Sequence, residues 1–414
     1  MAQSHKTLKV SAPLVVATNR QWLENATIIV KNGIITDIGP TRNLSNVKAD
    51  KVIKLKEGLI SAGLVNAHCH LELSFLAGKL KRRTLFTDWI EDLIAARLKA
   101  TKITVSTATA KAARRLIEMG VTCVGDVTSS FDVTPVLVKT GLRATVYHET
   151  LGYDPGIANE QHNNLISRVS SATCTDLIRL GVSPHAAYSV SGALLKKTTE
   201  YAKTKRLPLT VHLCETEDET TFSKFGKGPF SLLHNRRGVF NVSVHGKTPA
   251  RVMADGNALE NALCVHFNYP SRGDIALLKK KGASVVFCPN SNKWFKRKVN
   301  HALPKLLKNG IAVGLGTDSL ASNTDLDIRA EARQVMKLFP DMPLETVYKL
   351  MTTGGAKAMG VDNGLGELKP SSPFDAIHLN INVSGKKSPL HAIIDSRGPV
   401  LRSWVAGKEI FNNN

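Results

Sequence analysis

A regular alternation of short apolar runs with longer amphipathic stretches fills the middle of the chain and limits the fold more than any other feature. The short runs are typical of buried strands, and the longer stretches have the periodicity of helices with one apolar face. The eight predicted strands are residues 63–67, 123–127, 144–147, 181–183, 209–212, 262–266, 284–287 and 312–315. The clearest predicted helices are residues 104–118, 193–205, 274–281 and 326–338. Eight strands that alternate with helices over roughly 300 residues predict an α/β fold, a (β/α)8 barrel.

Both ends of the chain have a different, strand-rich pattern. Short β-branched runs precede the first barrel strand, and Asn32 and Gly33 between two of them are a strong hairpin turn signal. After the barrel, residues 376–383 alternate in polarity, and residues 400–410 form strand-like runs that Gly407 interrupts. These two β segments could pair into one small sheet, although they lie at opposite ends of the sequence.

The connection between His212 and Ala262 is longer than a usual strand-to-helix connection in a barrel. Such a length favours an insertion that contains at least one helix of its own. Because the connection leaves the carboxyl end of a strand, we expect the insertion to lie over the barrel mouth.

The cysteines and the apolar runs indicate the cellular location of the protein. No run of 18 or more apolar residues is present, which argues against a membrane span, and the first residues lack the apolar stretch of a signal peptide. No CxxC pair occurs among the six cysteines, at positions 69, 123, 174, 214, 264 and 288. We therefore expect reduced, buried thiols in a cytoplasmic protein.

The chain is basic, with 55 Lys and Arg against 34 Asp and Glu and a net charge of +21. A basic surface can attract nucleic acid. The basic clusters at residues 79–83 and 293–298 are short, however, and carry no comb of aromatic residues for stacking single strands. We expect no specific nucleic-acid site, and a nucleic-acid-binding protein on a catalytically inactive barrel remains the alternative from a different class.

Polar side chains follow the carboxyl ends of four predicted strands, on the face where barrel enzymes place their active sites. His68 and His70 end the first strand and share one face, because side chains alternate along a strand. Two imidazoles at this spacing suit one metal ion. His212 ends the fifth strand, His266 ends the sixth, and Asp318 follows the eighth. Each residue alone is more often a packed core residue or a helix cap, but the ordered set is a specific pattern.

This pattern resembles the amidohydrolase superfamily over nearly the full length of the chain. The most similar branch holds the cytosine, guanine, methylthioadenosine/adenosylhomocysteine and aminodeoxyfutalosine deaminases, together with the triazine hydrolases. The matching stretches, in the order of the family, are GLVNAHCHLELS (63–74), SPHAAYSVS (183–191), VHLCETEDE (211–219), CVHFNYP (264–270), FCPNSN (287–292) and LGTDSLASN (315–323). The resemblance implies a barrel of residues 62–365 and a small β-sandwich built from residues 1–61 and 366–414.

Carried over residue by residue, the resemblance implies that His68, His70, His212 and Asp318 bind the metal. No Lys stands at the strand-4 position that the family carboxylates, where this chain reads SPHAAYS, so we expect one divalent ion rather than two. Three imidazoles and one carboxylate leave an open position for water, whose pKa the ion would lower toward ~7. We expect zinc, with iron as the alternative, since both accept these ligands.

The resemblance also implies catalytic roles near the metal. Glu215 resembles the proton shuttle of the family, which protonates a ring nitrogen and then the departing ammonia. The alternative for Glu215 is a carboxylate that faces the dipole of a helix N-terminus. His266 resembles the residue that orients the attacking water or the tetrahedral oxygen, and Asp318 can accept the proton of the water.

Three further residues are expected to contact the substrate. His185 resembles a substrate-facing His, although Ala187 replaces the Pro that usually follows in the family. Glu149 matches a Glu-x-x-Gly at the end of strand 3, where a carboxylate can bind ribose hydroxyls. Glu72 is expected to line the same pocket. A structural hydrogen bond is an equally good interpretation of each.

Together these features predict a hydrolytic deaminase of an amino-substituted heterocycle, most of all an adenine nucleoside. Aminodeoxyfutalosine is the first expected substrate, and methylthioadenosine or adenosylhomocysteine is the next. The alternatives are displacement of chloride or alkylamine from a triazine, deamination of free guanine or cytosine, and ring-amide hydrolysis, against which the missing Lys argues. The basic cluster at residues 79–83 is expected to face a 5′ extension of the nucleoside, and a homodimer is the default assembly.

Overall fold

A computed structural model describes residues 7–240, 244–381, 383 and 388–413 of the chain. The strands are β1 (Thr7–Val16), β2 (Trp22–Lys31), β3 (Ile34–Pro40), β4 (Lys51–Lys54), β5 (Leu59–Ala62), β6 (Leu64–Cys69), β7 (Val121–Thr128), β8 (Arg143–Thr150), β9 (Ile178–Pro184), β10 (Thr210–Leu213), β11 (Leu263–His266), β12 (Ser284–Phe287), β13 (Val313–Leu315), β14 (Ala376–Leu379), β15 (Arg402–Val405) and β16 (Lys408–Asn412). The helices are α1 (Phe86–Leu98), α2 (Lys102–Glu118), α3 (Thr134–Thr140), α4 (Ala158–Ser171), α5 (Gly192–Lys205), α6 (Glu217–Phe225), α7 (Pro229–Arg236), α8 (Pro249–Asp255), α9 (Asp274–Lys280), α10 (Pro289–Trp294), α11 (Leu303–Lys308), α12 (Ile328–Leu338), α13 (Leu344–Leu350), α14 (Thr353–Ala358) and α15 (Pro389–Asp395).

Strands β6 to β13 form the barrel. They make two parallel four-stranded sheets, β6-β7-β8-β9 and β10-β11-β12-β13. Single parallel bridges join the sheets at both edges, between Val182 and Leu209 and between Cys69 and Asp318, so the ring of strands is closed. Each of the eight predicted strands coincides with one of these strands, and the predicted barrel is confirmed.

The helices around the barrel bury the apolar faces that the sequence predicts. In α2 the N-cap Thr101 accepts a hydrogen bond from the N–H of Thr104, which satisfies one donor of the first turn. The buried residues of α2 recur at helical spacing: Thr109, Ala112, Ala113, Leu116 and Ile117. Leu116 packs in one core with Val124 of β7 and Val146 of β8. Full burial of a side chain such as Leu116 contributes about 1.5–3 kcal/mol, so this packing holds the helix on the strands.

Three helices, α6 to α8, fill the long connection between β10 and β11, which confirms the predicted insertion. The N-cap of α6 is Thr216, whose hydroxyl accepts from the N–H of Glu219. Leu233 and His234 of α7 line the cavity at the carboxyl end of the barrel. The insertion therefore forms part of the barrel mouth, as the sequence indicates. Residues 241–243 of this insertion lie outside the described residues.

Strands from both ends of the chain form one eight-stranded sheet, in the order β16-β15-β14-β5-β1-β2-β3 with β4 paired to β1. Ala376 of β14 lies opposite Ala62 of β5, which joins the two ends. The sheet has its own apolar core, in which the rings of Phe374 and Trp404 lie 5.6 Å apart. Asn382, within the predicted strand segment 376–383, lies outside the described residues.

Several contacts tie the terminal segments to the barrel, among them an ion pair and a helix. Arg143 of β8 makes a bidentate ion pair with Asp375, at 3.0 and 3.1 Å. Helix α15 falls within residues 366–414 but packs against α12 and α13 of the barrel. The expected division into residues 1–61 with 366–414 and residues 62–365 stays a prediction, and α15 shows that the C-terminal segment contributes to the packing of both units.

The cysteines are free, and five of the six are buried. The expectation that all are buried is wrong for Cys174, which is exposed in the loop between α4 and β9. Among the described residues, no helix has the length and apolar character needed to cross a membrane.

Candidate active site

A cavity of about 580 Å³ opens at the carboxyl ends of the barrel strands. Eight of the residues that the sequence singles out line it: His70, Glu72, Glu149, His185, His212, Glu215, His266 and Asp318. His68, the ninth, is 1 % exposed and lies directly below them, within ligand distance of His70 and Asp318. Residues from six different strands and the loops after them thus converge on one small volume.

Three imidazoles and one carboxylate form a compact cluster at the base of the cavity. The Nε2 atoms of His70 and His212 are 3.3 Å apart. Oδ1 of Asp318 lies 3.7 Å from Nε2 of His68 and 3.8 Å from Nε2 of His70. Ligands at 2.0–2.1 Å around a tetrahedral zinc ion are about 3.3 Å from one another. The cluster has the dimensions to surround one ion.

The hydrogen bonding of this cluster also fits a metal ion. Nε2 of His68 is buried and has no hydrogen-bond partner among the described residues, which is costly for a polar atom unless a ligand satisfies it. Burial, followed by the charge of His68, lowers the pKa of His70 to about 4. Burial also lowers the pKa of His212 well below its ordinary value. Imidazoles that stay neutral keep the lone pair that a metal needs.

Asp318 is fixed by hydrogen bonds from the protein. The hydroxyls of Ser291 and Ser322 donate to its Oδ2 at 2.8 and 2.9 Å, and the N–H of Ser319 donates to Oδ1 at 2.8 Å. Burial by itself raises the pKa of this carboxyl, but the facing imidazoles, first that of His68, hold it well below its ordinary range. Asp318 is therefore an ionised, oriented carboxylate.

Glu215 lies beside the cluster, just after β10. Its Oε1 is 3.7 Å from Nε2 of His266 and 2.9 Å from Nη2 of Arg297. Burial raises the pKa of Glu215 to about 7, against the opposing effect of Arg297. A carboxyl with a pKa near neutrality is suited to general acid/base work.

His266, at the end of β11, has a strained backbone. Its φ is +73°, a conformation that costs free energy in a non-glycine residue. Its carbonyl accepts a hydrogen bond from Nε2 of His301 at 2.9 Å.

His185 lies on the loop after β9, over the ring of His212 at 4.5 Å between centroids. The hydroxyl of Ser189 is 2.7 Å from its Nδ1 and also accepts from the N–H of Ala186, so the loop is braced although Ala187 replaces the usual proline. Nε2 of His185 faces Oε1 of Glu149 at 3.9 Å.

Glu149 ends β8 and is 6 % exposed. Its Oε1 has no hydrogen-bond partner among the described residues, which leaves an acceptor free for a ligand. Burial, and then repulsion from Glu72, raise the pKa of Glu149 to about 8.

Glu72 is bound by the protein itself. Both of its oxygens accept hydrogen bonds from the turn after β7, from the N–H groups of Ser129, Ser130 and Phe131 at 2.9 to 3.1 Å. Its carboxylate also accepts from the hydroxyls of Thr128, Ser129 and Ser130, and it pairs with Arg97 at 3.4 Å. These donors use the acceptor positions of a carboxylate. Glu72 lines the cavity as expected, and its contacts fit the structural interpretation, in which it holds the turn. A contact between Glu72 and the substrate stays a prediction.

One expectation about basic residues is corrected. The cluster at residues 79–83 does not line the cavity; it lies on the surface, where Arg83 pairs with Asp92 at 3.0 Å. The cluster at residues 293–298 is not wholly a surface feature, because the side chain of Arg297 is only 9 % exposed and reaches Glu215. The two aromatic residues inside this basic run, Trp294 and Phe295, were the signal that part of it turns inward.

Sequence reasoning also missed the residues that support the cluster and wall the cavity. Ser291 lies within the matched stretch FCPNSN, but nothing in the pattern assigns it to Asp318. The outer wall is apolar and comes largely from α1, which contributes Phe86, Trp89, Ile90 and Leu93. Loop and helix positions of this kind have no strand-end signature, so the sequence alone gives little reason to place them in the site.

Neutral imidazoles and an oriented carboxylate at the carboxyl ends of a (β/α)8 barrel define a metal-dependent hydrolase barrel. The sequence matches the amidohydrolase family over residues 59–410. The chain belongs to this family, whose members are metal-dependent, and is an enzyme of the hydrolase class.

Relatives of known activity and known structure agree with this assignment. A 5-methylthioadenosine/S-adenosylhomocysteine deaminase of Syntrophobacter fumaroxidans is 29% identical over 365 residues, which cover 84% of this chain and 78% of the relative. An aminofutalosine deaminase of Helicobacter pylori, solved with methylthio-coformycin, superposes with a TM-score of 0.85 at 23% identity over 97% of this chain and all of the other. An adenosine deaminase of Xanthomonas campestris with bound zinc gives 0.79 at 24% identity, covering 97% of this chain and 92% of the other. At these identities the two structures establish the fold.

Proposed function

We propose that this protein hydrolytically deaminates an adenine nucleoside, with a methylthioadenosine- or adenosylhomocysteine-type compound as the best substrate. The observation that carries the proposal is the convergence of the His and Asp cluster, Glu215 and the unpartnered Glu149 on one cavity of about 580 Å³. That volume exceeds the needs of a free base. The deaminase relatives support the same activity.

The metal ligands proposed are His68, His70, His212 and Asp318, and zinc is the proposed ion, with iron as the alternative. The zinc in the Xanthomonas campestris structure supports this choice. A divalent ion at this cluster would lower the pKa of a bound water and supply hydroxide at neutral pH. Elemental analysis of the purified protein tests the proposal, which expects about one ion per chain. A stoichiometry near zero in active enzyme, or near two, contradicts it.

Three side chains at the cluster have different roles in the proposed reaction. Glu215, with a pKa of about 7, can donate a proton to a ring nitrogen of the base and then relay a proton to the departing ammonia. His266 is 3.7 Å from Glu215 and can hold the oxygen that adds to the ring carbon. Asp318 stays ionised and can accept a proton from the attacking water. These roles for Glu215, His266 and Asp318 are those that the family resemblance implies.

The walls of the cavity favour a nucleoside over a free base. Glu149 has a buried oxygen without a partner, and a carboxylate can accept hydrogen bonds from two vicinal hydroxyls. His185 faces Glu149 and lies over His212, where it can contact the bound base or sugar. The aromatic residues of α1 offer an apolar surface to a 5′ substituent, which suits a methylthio group.

A second candidate is a nucleoside that carries an acidic 5′ group, as in aminodeoxyfutalosine. Arg237, which is exposed and lines the same cavity, favours it. Charge attraction between Arg237 and the acidic group would then replace the apolar contact with α1.

An ammonia-release assay distinguishes these substrates in one series. We expect kcat/KM to rise from adenine to adenosine to methylthioadenosine, because binding energy from the sugar and the 5′ group can be used to position the base. Adenosylhomocysteine and aminodeoxyfutalosine complete the series and test the second candidate. If free adenine, guanine or cytosine matched the best nucleoside, or if a chlorotriazine were the best substrate, the proposal would be wrong.

Two further expectations stay predictions. The free cysteines are consistent with a cytoplasmic location, and a homodimer remains the default assembly, which analytical ultracentrifugation tests. We also still expect no specific nucleic-acid complex at physiological salt, because electrostatic binding alone weakens steeply as salt rises.

A further inference from the structure

Arg297 is a buried cation in the site, although it does not line the cavity itself. Its guanidinium centre lies 4.2 Å from the ring centroid of Phe295 and 4.8 Å from that of Phe86. Its Nη2 lies 2.9 Å from Oε1 of Glu215, which is an ion-pair distance, although the angle is not that of a hydrogen bond. Phe86, Phe295 and Glu215 all line the cavity, whereas Arg297 lies behind them. Any effect of Arg297 on a bound substrate therefore passes through these neighbours.

The two aromatic rings fix the guanidinium in one orientation. Phe86 starts α1 and Phe295 follows α10, and their rings meet edge to face with centroids 5.3 Å apart. A cation over aromatic faces is stabilised by about 0.5–2 kcal/mol, most when it is removed from water. Arginine suits such a place better than lysine, because a planar guanidinium can stack on rings while its edge pairs with a carboxylate.

The backbone and the side chain of Glu215 are held by different partners. The N–H of Glu215 donates to Oε2 of Glu219 at 2.7 Å, and its carbonyl accepts from Nδ2 of Asn268 at 3.1 Å. Within the described part of the chain, Arg297 is the cation that pairs with its carboxylate, and His266 is more distant at 3.7 Å. Without Arg297 the carboxylate would be free to adopt other rotamers inside the cavity.

We propose that Arg297 is a positioning residue that holds the carboxylate of Glu215 in the orientation needed for proton transfer, with Phe86 and Phe295 as its clamp. The inference rests on the proposed function of Glu215. The alternative is a purely structural ion pair that offsets buried charge and contributes only to the stability of the fold. A displacement of about 1 Å in a catalytic group can cost on the order of 10²-fold in rate, so the two alternatives differ in their kinetic consequences.

The test compares Arg297→Met, Arg297→Lys, Glu215→Gln and the double variant Glu215→Gln with Arg297→Met. With the best substrate of the ammonia-release series, we expect Arg297→Met to lower kcat by about 10–100-fold with KM nearly unchanged. Arg297→Lys should recover part of the loss, because it keeps the charge but not the stacked, planar geometry. In the Glu215→Gln background, Arg297→Met should have no further effect on single-turnover rates, since residues that act as one unit are not additive.

Arg143→Met is the matched control, because Arg143 also makes a largely buried ion pair, with Asp375, far from the cavity. It should lower the melting temperature and leave kcat unchanged. The inference is overturned if Arg297→Met behaves like this control, or if its effect on kcat persists in the Glu215→Gln background. If Glu215→Gln itself keeps wild-type kcat, the failure lies instead in the proposed function. Circular dichroism and metal content, measured on each variant, show whether the fold and the metal cluster are retained.

Discussion

Two regions of the same cavity differ in how their buried polar atoms are satisfied. At the base, Nε2 of His68 has no hydrogen-bond partner among the residues that the structure describes, and the Nε2 atoms of His70 and His212 face each other at 3.3 Å. At the wall, Glu72 accepts hydrogen bonds from three backbone N–H groups, three hydroxyls and Arg97. Both regions are rich in ionisable groups and both are buried. Within the described part of the chain, Nε2 of His68 awaits a ligand, whereas the carboxylate of Glu72 is satisfied by the protein itself.

The difference shows that burial of a charged residue does not by itself identify a functional residue. An unpartnered buried polar atom costs free energy, which a fold tolerates where a ligand supplies the missing partner. By this criterion Glu149 belongs with His68, because its Oε1 has no hydrogen-bond partner in the described part of the chain, although it stands on the same wall as Glu72. Predictions that remove one group at a time test this division, beginning with the metal cluster.

His68→Ala should have the largest effect, because it removes one of the four proposed metal ligands. We expect the bound metal to fall well below one ion per chain and turnover to become undetectable. Elemental analysis and the ammonia-release assay measure both quantities. The control is His378→Ala, which removes a buried histidine of the terminal sheet and should retain the metal. Full metal content and turnover in His68→Ala would exclude His68 as a ligand.

Glu215→Gln should leave the metal in place and lower kcat by about 10²–10⁴-fold, the usual contribution of a general acid/base. An amide has the shape of the carboxyl but cannot relay a proton. Glu219→Gln is the matched control, because Glu219 is an adjacent buried carboxyl that serves the N–H of Glu215, and an amide oxygen can still accept that bond. The assignment is wrong if Glu215→Gln keeps a kcat close to that of the wild type.

The contrast between base and wall also shows which site residues can be predicted from the sequence. Strand ends could be located from the apolar runs, and a residue such as His212 or Asp318 is placed by the strand that precedes it. Glu72 could not be assigned in this way, because its partners lie 56 to 59 residues away in the turn after β7. Arg297 was hidden in a basic run, since basic residues are mostly solvated, whereas this one packs against Phe86 and Phe295.

At pH 9, where Glu149 with its pKa of about 8 is ionised, Glu149→Gln should reduce kcat/KM for the nucleoside by about 10–100-fold, because a hydrogen bond to a charged group contributes about 1.5–3 kcal/mol. The same variant should leave the activity on free adenine nearly unchanged, since adenine has no hydroxyl for Glu149 to bind. The ratio of the two kcat/KM values is therefore the measurement. An equal loss on both compounds would mean that Glu149 acts on the base or the metal cluster and not on the sugar.

The smallest effects should appear in stability, where Glu72 and Glu149 are expected to respond to pH in opposite directions. Burial by itself raises the pKa of Glu72, but Arg97 and the hydrogen bonds of the turn lower it below its ordinary value of 4.5. The ionised carboxylate of Glu72 therefore adds to the free energy of unfolding above about pH 4.5. This contribution is lost as the pH falls through the pKa of Glu72 in the folded protein.

The pKa of Glu149 is raised to about 8, first by burial. The unfolded chain loses the proton of Glu149 before the folded protein does, so stability falls as the pH rises from 4.5 to about 8.

Denaturant unfolding of the wild type, Glu72→Gln and Glu149→Gln at saturating metal between pH 4 and 9 separates the two responses. At neutral pH we expect Glu72→Gln to destabilise the fold by about 1–3 kcal/mol, because the NH2 that replaces one carboxylate oxygen faces N–H donors and cannot accept from them. This difference from the wild type should shrink below about pH 4.5. The Glu149→Gln variant should instead become more stable relative to the wild type as the pH rises toward 8, because glutamine does not ionise in the buried wall. If both variants followed the same pH trend, the two carboxyls would have equivalent surroundings, and the assignment of Glu149 to the substrate and Glu72 to the turn would fail.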